Sequence, residues 1–123
     1  MSDSPKIWTY DESAFKEMAT AGMRRRIYNG DGMSMAFWRI KSGVGPTPYG
    51  GHPENEQFGL IIAGQLDFRI GSDDRVTLGP GDVYWAPKDL PHGDSHFIGD
   101  PAKNDEVWIM DVFHPVREEY RDG

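Results

Sequence analysis

At 123 residues, with no cysteine and a formal charge of −7, the chain has room for one core and none for disulfide or thiolate chemistry. The acidic balance argues against nucleic acid or an anionic membrane as a partner, and it obliges any anionic substrate to find a local cation. No apolar run reaches the length of a membrane span and the start MSDSPKIW lacks a signal-peptide core, so a cytoplasmic protein is expected.

Tyr10 to Ala19 predicts a short helix, capped by Asp11 or Ser13. Met23 to Tyr28 carries Arg24, Arg25 and Arg26 and reads as an edge strand whose charges discourage pairing with other chains. After the turn Asn29-Gly30-Asp31-Gly32, Met33 to Ile40 forms a strand. In it Met33, Met35 and Phe37 alternate with Ser34, Ala36 and Trp38, a stripe expected in the core. Ser42 to Gly51 holds four Gly and two Pro and makes a loop at the mouth of a barrel. A polar loop bearing His52 then enters a strand that starts at Gln57, where Phe58, Leu60 and Ile62 alternate with Gly59, Ile61 and Ala63. Gly64 stands where a tight hairpin would reverse the chain. Gln65 to Ile70 and Arg75 to Leu78 form a hairpin about the turn 71–74.

Gly79 to Asp82 turns into a short strand, Val83 to Ala86. Pro87 and Pro91 then frame a rigid bend that presents His92 in one direction. Gly99 to Asp105 is a polar loop, and Glu106 to Phe113 is an apolar strand interrupted by Asp111. A carboxylate among apolar neighbours is costly unless it is paired or functional. The 15 Gly and 9 Pro, with short strands at close spacing, indicate an all-β fold: a small antiparallel double-sheet β-barrel spanning 1–123 as one domain. Its N-terminal arm covers about 1–22 and its barrel about 23–115.

Two stretches, GGHPENEQFGLIIAG from Gly50 and GPGDVYWAPKDLPHGDSH from Gly79, resemble the paired motifs of the cupin superfamily. These motifs read His-x-His-x(3–4)-Glu/Gln-x(6)-Gly and Gly-x(5)-Pro-x-Gly-x(2)-His-x(3)-Asn. His52, Gln57 and Gly64 fit the first; Gly81, Pro87 and His92 fit the second. Three positions depart: Gly50 stands for the first His, Asp89 for the internal Gly, and His96 for the Asn. The resemblance implies a jelly-roll fold, a tendency to homodimerise, and one divalent metal on His52, Gln57 and His92. Glu54 or His96 is a possible additional donor. Imidazole nitrogen and amide oxygen suit Zn, Fe, Mn, Ni or Co alike. Neighbouring strand residues face opposite ways, so only one of Glu56 and Gln57 enters the barrel, and the spacing to Gly64 selects Gln57.

The tail DVFHPVR resembles one subfamily, the pectin-degradation cupins that open the rings of unsaturated uronate monomers, whose pattern is Asp-x-Phe-x-Pro-x-Arg. The resemblance implies a small carboxylated substrate, with Asp111 moving a proton, Phe113 packing on the ring and Arg117 holding the carboxylate. The bland alternative is an Asp111–Arg117 ion pair that fastens the tail. Two other functions stay open. One is an oxygen-dependent or cyclase-type enzyme for phenolic or polyketide substrates, its pocket lined by Trp38, Phe58, Tyr84, Trp85, Phe97 and Trp108. The other is a non-catalytic binding barrel without metal, as the glycine at position 50 suggests.

Overall fold

The structure is a computed structural model and describes residues 4–121. Among these residues ten strands form two antiparallel sheets packed face to face, which do not close into a continuous barrel. The first sheet runs β1 (Lys16–Glu17), β2 (Met23–Asn29), β3 (Ser34–Lys41), β10 (Glu106–His114), β5 (Glu56–Ala63), β8 (Val83–Ala86). The second runs β4 (Tyr49–Gly50), β9 (His92–Ile98), β6 (Gln65–Ile70), β7 (Arg75–Leu78). Between them lies a core of Ile40, Ile61, Leu66, Phe68, Phe97, Val107 and Ile109.

Three expectations are corrected. The segment from Tyr10 is not a helix but a single 3-10 turn, Glu12–Ala14, followed by β1. Asp11 does cap the turn, accepting from the Ser13 backbone N–H, but tertiary contacts override the weak helical pattern. Gly64 does not close a hairpin. β5 and β6 belong to different sheets, and Gly64, at φ +73°, is the corner between them. A Cβ there would come within 2.8 Å of the Ile98 carbonyl oxygen, so the corner needs glycine. Finally, Met35 and Phe37 leave the core to Ala36, Trp38 and Ile40. They face outward, under an N-terminal arm that lays Tyr10 and Phe15 against Phe37 and Trp108.

Register explains the outward face. Cross-strand partners align Tyr28, Met35, Val112, Phe58 and Trp85 in one row across the first sheet, and Phe37, Met110, Leu60 and Val83 in the next. The arm covers only the β2–β3 end. At the β5–β8 end, Phe58, Leu60, Ile62, Val83 and Trp85 are each 38–55% exposed.

Candidate active site

The inner rows of the same sheet build the site. Asp111 on β10 lies between Ala36 on β3 and Gly59 on β5, and Gly59 pairs onward with Tyr84 on β8. Small neighbours on both sides leave room above the carboxylate. A Cβ on Gly59 would stand 2.1 Å from the Tyr84 ring, so that glycine is what lets the ring lie across the sheet towards Asp111. The Tyr84 hydroxyl donates to Asp111 Oδ1 at 3.3 Å and accepts from Gln57 Nε2 at 2.7 Å. Because the hydroxyl's one proton goes to the carboxylate, the amide must meet it nitrogen first. Gln57 Oε1 is then left buried without a hydrogen-bond partner.

Burial raises the Asp111 carboxyl to about 7, against hydrogen bonds from Tyr84, Gln57 and Trp38 and the positive charge of Arg117, all of which favour ionisation. Burial and the Asp111 charge hold the Tyr84 phenol well above its usual range, so it stays a proton-bearing donor.

The opposite wall comes from the second sheet. His52 follows β4 in a loop pinned to the bend before His92, where the Asp89 N–H donates to the His52 carbonyl at 3.0 Å. Gly51 is required there, since a Cβ would meet the Asp89 carbonyl oxygen at 2.5 Å. Asp89 itself adopts φ +67°, a left-handed conformation that glycine or aspartate tolerates best, which is why Asp serves where the motif has Gly. His92 opens β9, with Nδ1 3.0 Å from the Leu90 carbonyl oxygen. With Nδ1–H donating there, the Nε2 lone pair is left free, the arrangement usual for a metal-binding imidazole. The two imidazoles lie edge to face, 5.1 Å between ring centroids. Burial, Arg117 and His92 together depress the His52 pKa and keep that ring neutral.

His52, Gln57, His92, Tyr84 and Asp111 thus line one cavity of about 400 Å³, with Trp38, Phe68 and Phe97 among its apolar walls. That is a usual size for a small-molecule pocket. Glu56 points outward to the Trp85 indole, as strand parity predicts, while Gln57 faces in. Of the six aromatics proposed as a lining, Trp38, Tyr84 and Phe97 border the cavity. Phe58 and Trp85 lie on the outer face, and Trp108 packs beneath the arm.

Four sequence-derived candidates are placed elsewhere. His96 is exposed on the outer face of β9 opposite Asp67: it shares nominal parity with His92, but the β6–β9 register shifts between them, opposite Asp67 to Arg69, and the shift turns it away. Glu54 lies in a surface groove beside Pro115 and Glu118. Phe113 is only 1% exposed and does not border the cavity; its ring packs edge-on behind His52, at 5.9 Å. Arg117 makes no ion pair with Asp111. It binds Glu119, and its guanidinium lies over the rings of Phe113 and Tyr120. The tail is instead fastened by buried Val116 and Tyr120, with Asn29 donating to the Tyr120 carbonyl at 2.8 Å. Tyr84 is the cavity residue bonded to Asp111 that the sequence pointed to only as an aromatic. Its role depends on Gly59 opposite, and a pattern of single strands does not reveal cross-strand partners.

The sequence matches the Cupin domain family over residues 36–99, which takes in most of the cavity lining, His52, Gln57, Tyr84 and His92 included, but not Asp111. The chain belongs to the cupin family. Among solved structures, this cupin is similar to KdgF from Halomonas sp., at 19% identity and a TM-score of 0.81 over 94% of this chain and 98% of that one. It is also similar to an RmlC-like cupin from Shewanella frigidimarina, at 16% identity and a TM-score of 0.72 over 94% and 96% of the two chains. A third likeness is to the DMSP lyase DddQ from Ruegeria pomeroyi, at 17% identity and a TM-score of 0.62 over 88% and 55%. At these identities the likeness is one of fold. No curated protein matches the cupin in sequence.

Among the described residues no three His, Asp or Glu side chains gather closely enough to hold a metal ion. A metal held by His52 and His92 would take its third donor from the Gln57 amide. Its orphaned Oε1 and the fixed Nδ1 of His92 fit that task.

Proposed function

We propose that this cupin is a metal-dependent enzyme acting on a small, oxygenated, carboxylated substrate, by ring opening or tautomerisation of an unsaturated uronate. The observation that carries the reading is the buried Asp111 carboxyl, bonded to Tyr84 and sharing one cavity with two imidazoles and an unpartnered amide oxygen. His52, Gln57 and His92 would hold a divalent transition metal, which supplies Lewis-acid polarisation of a substrate oxygen. Asp111 takes or returns a proton, with the Tyr84 O–H donating to Oδ1 and steadying its ionised form. Phe113 backs His52 rather than touching substrate. Arg117 lends positive charge behind His52 and Asp111, and holding a substrate carboxylate requires it to exchange Glu119. The tail pattern shared with uronate-opening cupins supports the substrate class.

With three protein donors, the site has none to spare. Protein purified without chelator is expected to carry close to one transition metal per chain by elemental analysis, and His92→Ala to lose most of it. Metal-free wild-type protein, or equal metal in the variant, would remove the metal from this reading and favour a binding barrel.

We further propose that two copies pair through the bare β5–β8 end of the outer face. Its apolar rows are too contiguous for an ordinary solvated surface, and a two-fold axis would set each row against its own copy. Light scattering on wild-type protein should give twice the 13.9 kDa chain mass, and Leu60→Glu should give the monomer. A wild-type monomer at high micromolar concentration rules the pairing out.

A further inference from the structure

Glycine at position 50 has no structural reason to be there. Its backbone is not among the positive-φ residues, and a Cβ built on it meets no heavy atom within 4 Å. Its neighbours differ: Gly51 would press on the Asp89 backbone at 2.5 Å, and Gly93 would press on the Pro48 carbonyl oxygen at 2.1 Å. What glycine provides at position 50 is open space at the exposed rim of the cavity. Gly50 borders that cavity and is the direct cross-strand partner of His92. Among the described residues no other side chain fills the space as a fourth donor. Glu54 and His96 face away, and the Asp111 carboxylate is engaged by Tyr84.

We propose that Gly50 is a specificity-determining residue. By withholding a protein donor next to His92, it leaves room for a ligand that brings two oxygen donors on neighbouring atoms, such as a 2-hydroxy or 2-oxo carboxylate. The inference rests on the metal reading above. Three protein donors leave at least one position open, and five- or six-fold coordination leaves adjacent ones. A ligand with paired oxygens occupies two of them at once, and a single carboxylate oxygen does not.

The test uses Co²⁺ as the probe metal, followed by its visible absorption, with acetohydroxamate as a two-oxygen probe and acetamide as its one-oxygen counterpart. Wild-type protein loaded with Co²⁺ should bind acetohydroxamate at least tenfold more tightly than acetamide. Gly50→His should bind Co²⁺ itself at least tenfold more tightly, yet lose tenfold or more in acetohydroxamate affinity. Gly50→Ala should match wild type in both, since a methyl group there meets nothing. Equal binding of the two probes by Co²⁺-loaded wild type, or unchanged acetohydroxamate affinity in a folded Gly50→His, overturns the inference and leaves the metal reading standing. Failure of both wild type and Gly50→His to bind Co²⁺ overturns the two together.

Discussion

Glu106→Gln is expected to lower stability by about 3–5 kcal/mol, the cost of breaking a buried ion pair from one side. Glu106 and Arg39 are 2% and 3% exposed, closed in beneath the N-terminal arm. Arg39 Nε donates to Glu106 at 2.8 Å, Arg24 lies 3.2 Å from the second carboxylate oxygen, and the Trp108 indole adds a bond at 3.1 Å. Glutamine keeps the shape and removes the charge, which strands Arg39 with only Glu12 and the Tyr10 hydroxyl. At a few degrees per kcal/mol for a domain of this size, Tm should fall by roughly 10–20 °C.

Burial alone would push the Glu106 carboxyl up, but hydrogen bonds from Arg39 and Trp108, and the charges of Arg39 and Arg24, hold it below the ordinary 4.5. The stabilisation is therefore fully present above pH 4.5 and is lost as pH falls through the lower folded value. Wild type and variant should accordingly converge in Tm at acid pH. A paired replacement of Arg39 and Glu106 by apolar residues should recover much of the loss, because no lone charge then remains buried. If Glu106→Gln melts within about 2 °C of wild type at pH 7, the pair is not an anchor of this fold.

The second large effect concerns Asp111. Asp111→Asn should cut turnover of a 4,5-unsaturated uronate monomer by about 10²–10⁴-fold, the range for loss of a positioned proton-transfer group. Tm should hold, since the asparagine oxygen can still accept from Tyr84 and Ala36 and Gly59 leave its surroundings unchanged. A variant with wild-type turnover would remove Asp111 from the chemistry. A wild type that binds metal but leaves the uronate unchanged would instead end the substrate assignment and spare the cupin fold.

Most strands were legible because alternation and punctuation agreed. The hairpin 65–70/75–78 and the strand Val83–Ala86 fall where turn residues bound short apolar runs. β9 was not legible. Its cavity-facing His92 and its buried Ser95 and Phe97 fall out of a single alternation because the β6–β9 register shifts between them, and that face carries little apolar signal. The outward turn of Met35 and Phe37 was hidden for the opposite reason. Both faces of β3 are covered, one by the second sheet and one by the arm, and hydrophobicity alone does not say which is which. In the site, His52, Gln57, His92 and Asp111 stood out by residue type and spacing. Tyr84, and the glycine opposite that admits its ring, depend on which strands become neighbours, and local sequence does not encode that.

The donors facing the cavity come from both layers: Gln57, Tyr84 and Asp111 from one sheet, His92 and the loop bearing His52 from the other. Anything gripped by both therefore works as a fastening across the open seam of the sandwich. In the unfolded chain those groups disperse, so an occupant present at 100 times its Kd would add about 2.7 kcal/mol against unfolding. A melting curve can thus report occupancy before any reaction has been assigned.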